Sequence, residues 1–253
     1  MANHQLITAN VLFNEALTPD TFRMVLFAPD VAGSIKPGQF AMVYLNSGEL
    51  LLPRPISICD ADGQTITLLY QVVGAGTKAM SAINSGEGIK ILLPLGKGFY
   101  LGSDAKTPLR KVALVGGGIG VAPLVLLGKA LAATDAHIDI YLGFRDSAKL
   151  QHLFKGISEN IHIATDTGAE GFKGNAVELL KSRQTDYDEI LACGPTPMLN
   201  ALATYGAEKG IPCQLSMEER MACGIGTCVG CVLEIEGTYT KICTEGPVFY
   251  SGK

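Results

Sequence analysis

The hydrophobic rhythm of this 253-residue chain changes near residue 109, and that change limits its fold more than any other feature. Before it, short apolar or alternating runs occupy 5–13, 21–27, 39–45, 56–59, 65–73 and 89–93. Turn signals separate them at Pro37-Gly38, Asp62-Gly63 and Gly86-Glu87-Gly88. Runs of this length between glycine and proline turns specify strands. Six of them predict a small antiparallel barrel, with one helix over 77–83. After residue 109, apolar runs at 111–115, 138–142, 162–165, 189–192 and 213–216 alternate with helical segments at 121–132, 175–181 and 197–209. Strands alternating with helices predict a parallel sheet covered by helices. The stretch GSDAKTPLR, 102–110, marks the boundary. From Arg220 a cysteine-rich loop leads into VLEIEG and TYTKIC, a predicted hairpin turning at Glu236-Gly237. The expected division is therefore 1–101, 102–212 and 213–253. The last part is too small for a core of its own and is expected to depend on a metal centre and on the preceding domain.

Composition excludes several partners. Twenty basic against 24 acidic residues give a net charge of −4 without a Lys/Arg block, which argues against nucleic acid and anionic membranes. No stretch reaches the roughly 18 apolar residues of a membrane helix, and the opening MANHQLITANVLF lacks a secretory pattern, so a cytoplasmic protein is expected. In such a compartment seven cysteines read as metal ligands or buried thiols rather than disulfides.

Four of those cysteines, Cys223, Cys228, Cys231 and Cys243, are spaced C-x4-C-x2-C-x11-C. Four thiolates hold either zinc or iron. Structural zinc sites usually pair two C-x2-C knuckles, whereas only Cys228 and Cys231 have that spacing here. A C-x4-C-x2-C run with a distant fourth cysteine is the plant-type ferredoxin spacing for [2Fe–2S]. Zinc remains the alternative. Cys59 and Cys213 have no partner at ligand spacing and read as core residues.

Two glycine-containing turns point to a nucleotide. In VALVGGGIGVAPLVLL a strand runs into Gly116, Gly117, Gly118 and Gly120 and then a helix start, where backbone N–H groups and the helix dipole attract a pyrophosphate. From Gly118 it reads G-x-G-x-x-P, with Pro123 in place of the third glycine of the usual fingerprint. In ILACGPTPMLNAL a second strand ends at Cys193, Gly194 and Pro195 before another helix. Ligands of open α/β sheets sit at the carboxyl ends of the strands, so both turns could close on one dinucleotide, with Cys193 near a nicotinamide. The competing readings are a tight connection for the glycines and a buried small residue for Cys193. The four histidines lie outside these motifs, and no carboxylate pair or nucleophile with its base emerges, so a substrate site is expected on another polypeptide.

The order RPIS, GAGT, PLGKGF, GGGIGVAP and ACGPTPM, over about residues 5–210, resembles the ferredoxin reductase superfamily. That resemblance implies an N-terminal antiparallel barrel for FAD and a parallel-sheet α/β domain for NAD(P). It implies that Arg54, Pro55, Ile56 and Ser57 contact the flavin and its phosphates, in keeping with a fixed cation and a hydroxyl at those places. Backbone atoms of Leu69, Tyr70 and Gln71 would follow the ribityl chain, and Gly76 and Thr77 would receive a phosphate. A surface arginine is the competing reading for Arg54. Adding the tail EERMACGIGTCVGC to KICTEGPVF, the whole chain resembles the electron transfer subunits of dihydroorotate dehydrogenase B. That implies FAD, a [2Fe–2S] cluster and NAD on this chain, and an FMN-containing catalytic partner that oxidises dihydroorotate to orotate, two of each chain assembling. A flavin belongs between the other two centres because a nicotinamide moves two electrons together and a cluster one. The cluster loop is expected to meet the partner. In the loop 143–146 Arg145 could take a 2′-phosphate and Asp146 beside it would repel one; NAD is favoured over NADP mainly because the resemblance implies it. Two alternatives stay open: a flavin and iron–sulfur reductase subunit serving another redox partner, and a zinc-stabilised binding module without redox activity.

Overall fold

The computed structural model describes residues 4–45, 48, 50–102, 109–235 and 237–251. Residues 103–108 of the expected linker, and Glu236 of the expected hairpin turn, lie outside the described residues. Two compact units form: residues up to Gly98 with Glu218–Pro247, and Phe99–Met217 with residues from Val248 on.

In the first unit, strands β1 (Gln5–Ala16), β2 (Thr21–Phe27), β3 (Phe40–Tyr44), β4 (Arg54–Ala61), β5 (Thr65–Gln71) and β6 (Gly88–Leu95) close a barrel in the order β1-β2-β5-β4-β3-β6. Every pairing is antiparallel, and β1 closes the ring on β6 with Ile7 opposite Ile91. Alternation puts Val11, Met24, Leu26, Met42, Ile58, Ile66, Leu68 and Ile91 fully inside. Burying each such side chain stabilises the fold by roughly 1.5–3 kcal/mol, and closure leaves no unpaired sheet edge. Helix α2 (Ala75–Ser81) matches the expected helix, but a second one, α1 (Pro29–Ala32), was not foreseen. Pro29 and Asp30 in its first turn suit a helix start, and four residues are too few to show a helical period.

The second unit holds β7 (Lys111–Gly117), β8 (His137–Phe144), β9 (Ile161–Thr165), β10 (Phe172–Lys173), β11 (Glu189–Cys193) and β12 (Cys213–Ser216), with α3 (Ala122–Ala132), α4 (Ala176–Arg183) and α5 (Thr196–Lys209) between them. The strands are parallel in the order β10-β9-β8-β7-β11-β12. The sequence predicts five strands here; β10 and a final antiparallel strand on β12 make seven. Strand β12 belongs to this sheet, although the three-part division places it at the head of the last part. A buried chain of hydroxyls lies within the unit: Tyr187 donates to Asp139 at 2.7 Å, and the Tyr141 and Tyr187 hydroxyls are 2.7 Å apart.

The cysteine-rich segment groups with the barrel. It carries the hairpin β13 (Val232–Ile235) and β14 (Thr238–Lys241), then α6 (Ile242–Glu245). The chain ends in β15 (Val248–Ser251), the strand that covers the edge of β12. Among the described residues no helix is long and apolar enough to cross a membrane.

Candidate functional site

The segment Arg54-Pro55-Ile56-Ser57 opens β4, where Pro55 faces Met42 and Ser57 faces Phe40 of β3. Arg54 reaches across to the start of α2 so closely that a Cβ on Gly76 would overlap its Nε. A guanidinium thus lies over a helix start that has no side chain in the way, an arrangement that can receive a phosphate. Thr77 lies there too, but its hydroxyl is engaged locally, accepting from the Val73 and Gly74 N–H groups at 2.9 and 3.2 Å. Leu69, Tyr70 and Gln71 end β5 beside β2 and lead into that helix. The Tyr70 ring turns inward, its hydroxyl donating to Asn14 at 2.9 Å, and burial pushes its pKa up to about 12. The Tyr70 side chain is thereby committed to the barrel interior.

In the second unit, β7 and β11 are neighbours while the chain leaves β7 toward β8 and β9 on one side and reaches β12 on the other. That reversal of strand order opens a crevice at the strands' carboxyl ends. Gly116, Gly117, Gly118 and Gly120 occupy the end of β7 and the turn after it; Cys193, Gly194 and Pro195 occupy the end of β11. The two turns interlock. A Cβ on Gly120 would stand 2.6 Å from the Gly194 Cα and 2.7 Å from the Cys193 carbonyl oxygen. One on Gly117 would stand 2.8 Å from the Met198 sulfur and 2.9 Å from the Pro195 Cδ. Cys193 is fully buried.

The four cysteines proposed as ligands meet as two pairs. The Cys223 and Cys228 sulfurs are 3.3 Å apart, and the thiols of Cys231 and Cys243 are hydrogen-bonded to one another. Cys231 and Cys243 are buried, and Cys223 and Cys228 half-buried. Burial opposes ionisation of Cys223, but backbone N–H groups of Cys228, Ile225 and Thr227 and the Cys228 thiol outweigh it and lower the pKa to about 6. Burial, then Cys231, pushes Cys243 up to about 12. Among the described residues no three metal-binding side chains gather around one ion. Two irons can take a pair of thiolates each, so the paired donor set fits [2Fe–2S].

The loop carrying these thiols is seated on the barrel. Gly224, at φ +71°, lies where a Cβ would come within 2.6 Å of Met42 and 3.1 Å of Leu95. Met42 is the residue paired with Pro55. Lys241 ties the loop's other side, donating to the Gly226 carbonyl at 2.7 Å.

Residues 218–253 match the family model described as the iron-sulfur cluster binding domain of dihydroorotate dehydrogenase B. Over 244 residues, 92% of each chain, the sequence is 41% identical to the dihydroorotate dehydrogenase B (NAD(+)) electron transfer subunit of Shouchella clausii. The same-named protein of Desulforamulus reducens is 38% identical, with 98% of this chain and 97% of that one covered. The chain belongs to the dihydroorotate dehydrogenase B electron transfer subunits.

This electron transfer subunit also matches a chain of the NADH-dependent reduced ferredoxin-NADP oxidoreductase, with a TM-score of 0.86 and 26% identity over 99% of this chain and 90% of that one. A ferredoxin NADP+ reductase of Neisseria gonorrhoeae, solved with FAD and NADP, has a TM-score of 0.67 at 16% identity, covers 83% of this chain and 93% of that one, and shows the fold alone. Barrel, parallel sheet and cysteine-rich segment are the architecture read from the sequence, and FAD, [2Fe–2S] and NAD are the cofactors of an oxidoreductase subunit in this family.

One part of the electron transfer subunit was not singled out by its sequence. The turn TDTGAEGFKG, 165–174, follows β9 at the carboxyl edge of the sheet, and Gly168, Gly171 and Gly174 in it all have positive φ. Three glycines directly after a predicted strand were the available signal. Cys59 and Cys213 are buried, as expected, and burial followed by Glu189 raises the Cys213 thiol to about 11. His162 is a packing residue, its ring 4.8 Å from that of Tyr141.

Proposed function

We propose that this subunit passes electrons from an FMN-containing dihydroorotate dehydrogenase catalytic subunit through [2Fe–2S] and FAD to NAD+, supporting the oxidation of dihydroorotate to orotate in pyrimidine biosynthesis. Two copies of each chain assemble, in the cytoplasm. The observation that carries this reading is the seat of the cysteine loop: Gly224 packs on Met42, and Met42 pairs with Pro55 of the segment proposed to hold the flavin. One barrel strand, β3, therefore touches the cysteine loop and pairs with that segment.

Bound FAD exchanges electron pairs with a nicotinamide and single electrons with a cluster, and thereby couples two-electron to one-electron chemistry. The chain's own residues do the holding. Arg54 compensates the pyrophosphate charge, with Ser57 a hydroxyl near the flavin ring and Gly76 and Thr77 offering backbone at a phosphate. Leu69, Tyr70 and Gln71 line the ribityl chain with backbone atoms. Gly116, Gly117, Gly118 and Gly120 receive the nicotinamide coenzyme with Gly194 and Pro195, and Cys193 closes the end of that crevice. Cys223, Cys228, Cys231 and Cys243 hold the cluster. The exposed Val229 and Ile225 on the same loop face the partner chain.

Co-purification tests the assignment. The tagged subunit expressed with an untagged FMN-containing dihydroorotate dehydrogenase should retain it one to one, with FAD, FMN and iron–sulfur absorbance and NAD+ reduction on addition of dihydroorotate. Retention of a different redox protein would move the chain to another electron acceptor, and a colourless preparation holding zinc would refute the redox reading.

A further inference from the structure

Glu170 holds two strand ends together. One of its carboxylate oxygens accepts from the Ser147 hydroxyl at 2.8 Å, and the other from the Ala148 N–H at 3.1 Å. Its backbone is locked to the last residue of β9: the Thr165 hydroxyl donates to the Glu170 carbonyl at 2.8 Å and accepts from the Glu170 N–H at 3.1 Å. Thr165 is fully buried, so this anchor is fixed. The β8–β9 ladder also runs on past both strands, with Asp166 N–H donating to Phe144 at 3.1 Å and Thr167 N–H to Arg145 at 3.3 Å. Residues 144–148 are therefore clamped from the β9 side by one carboxylate and two backbone bonds, of which one, to Arg145, lies within 145–148.

The clamp lies at the carboxyl ends of β8 and β9, the edge of a parallel sheet that receives ligands. Within 145–149 and 165–173 the charged side chains are Arg145, Lys149 and Lys173 against Asp146, Asp166 and Glu170, with Lys173 paired to Thr165. The charges balance, and within that set Asp146 beside Arg145 opposes a 2′-phosphate and suits the neutral diol of an unphosphorylated ribose.

We propose that Glu170 is a positioning residue for the adenosine end of the nicotinamide coenzyme, acting through Ser147 and Ala148, and that it contributes to the choice of NAD over NADP. The proposal rests on the reading of this chain as an NAD-linked flavoprotein. Glu170 presents residues 145–148 in a fixed conformation, so the coenzyme does not have to order them on binding. Its charge adds to the repulsion of a 2′-phosphate.

The test uses the full chain loaded with FAD and cluster, with ferricyanide as electron acceptor and NADH or NADPH as donor. KM, kcat and melting temperature are measured for the unsubstituted protein, Glu170→Ala, Glu170→Gln and Ser147→Ala. Glu170→Ala should raise KM for NADH about tenfold while kcat stays within about twofold, because an interaction made equally in ground and transition states is lost. Glu170→Gln keeps an acceptor oxygen for the Ala148 N–H and should restore most of the NADH affinity while narrowing the preference for NADH over NADPH. Ser147→Ala should raise KM for NADH by about threefold with the preference retained. An unchanged KM in Glu170→Ala, a parallel rise for both coenzymes, or a fall in kcat at constant KM overturns the proposal. If Glu170→Ala does not fold, an unchanged KM in Ser147→Ala overturns it alone. An unsubstituted protein that ignores NADH refutes the NAD-linked reading itself, a separate outcome.

Discussion

A methyl group on Gly76 would overlap the Nε of Arg54, so the guanidinium has its place over the start of α2 only because residue 76 has no side chain. The two residues are 22 positions apart in the chain and belong to different motifs, RPIS and GAGT. Their juxtaposition is what sets an arginine beside a proline turn over the start of a helix.

Gly76→Ala should therefore weaken FAD binding without unfolding the barrel. The overlapping atoms belong to the far end of a flexible side chain, which can swing aside. We expect FAD affinity to fall about tenfold or more, and the melting temperature of the apoprotein to move by less than about 4 °C, the shift from roughly 1 kcal/mol. Titration of apoprotein with FAD by flavin fluorescence, beside a thermal melt, measures both.

Gly120→Ala has a different cost, because the added Cβ meets backbone at Gly194 and Cys193 rather than a movable side chain. The two turns must separate, which should destabilise the α/β unit by about 1–3 kcal/mol. KM for NADH should rise as the crevice is distorted. Urea unfolding and steady-state kinetics check the two effects, and a fully stable variant with normal KM would contradict the interlock.

Cys231→Ser separates the two halves of the electron path. Cys231 is buried and bonded to Cys243, so its loss should remove the cluster while leaving Arg54 and the glycine turns in place. Flavin reduction by NADH should persist, and dihydroorotate-driven NAD+ reduction in the complex should fall at least about a hundredfold. Stopped-flow absorbance of the flavin, iron analysis and coupled turnover decide it; normal coupled turnover would remove Cys231 from the ligand set.

His162 gives a pH dependence with a definite sign. Burial, followed by the nearby Arg183, lowers its pKa below the ordinary 6.5, while Asp139 opposes the shift weakly. The folded state thus favours the neutral ring, which accepts from Arg183 at 3.1 Å. Its contribution to stability is present above about pH 6.5 and is lost as the pH falls toward the lower folded value. The urea midpoint should drop between pH 8 and pH 5.5, and His162→Gln should drop less.

The sequence made some of this architecture legible and left other parts hidden. Strand β2 at Thr21–Phe27 and strand β12 at Cys213–Ser216 have the bounds their apolar runs predict, because one or both faces are buried and the pattern is dense. Strands β10 and β15 were missed: β10 has only two residues, β15 is half-buried throughout and so lacks the dense apolar pattern of β12, and each forms on the edge that β9 or β12 offers. The cysteine spacing separated a ferredoxin-like arrangement from a double zinc knuckle. The division of the four thiols into two pairs needed the fold, since Cys243 is brought to Cys231 by the hairpin between them. Thr77 fits its motif, yet its hydroxyl is already committed to the Val73 and Gly74 backbone, a bond the motif does not reveal.

By itself the chain determined its local chemistry: which runs become strands, where glycines leave a turn without side chains, and which thiols stand at ligand spacing. Such properties depend on neighbours within a few residues, and the sequence carries them directly. Tertiary structure decided which distant groups meet: Arg54 with Gly76, Gly224 with Met42, Gly120 with Gly194, and Glu170 with Ser147. Those meetings depend on strand order and on close approach of backbones, and spacing along the chain does not encode either.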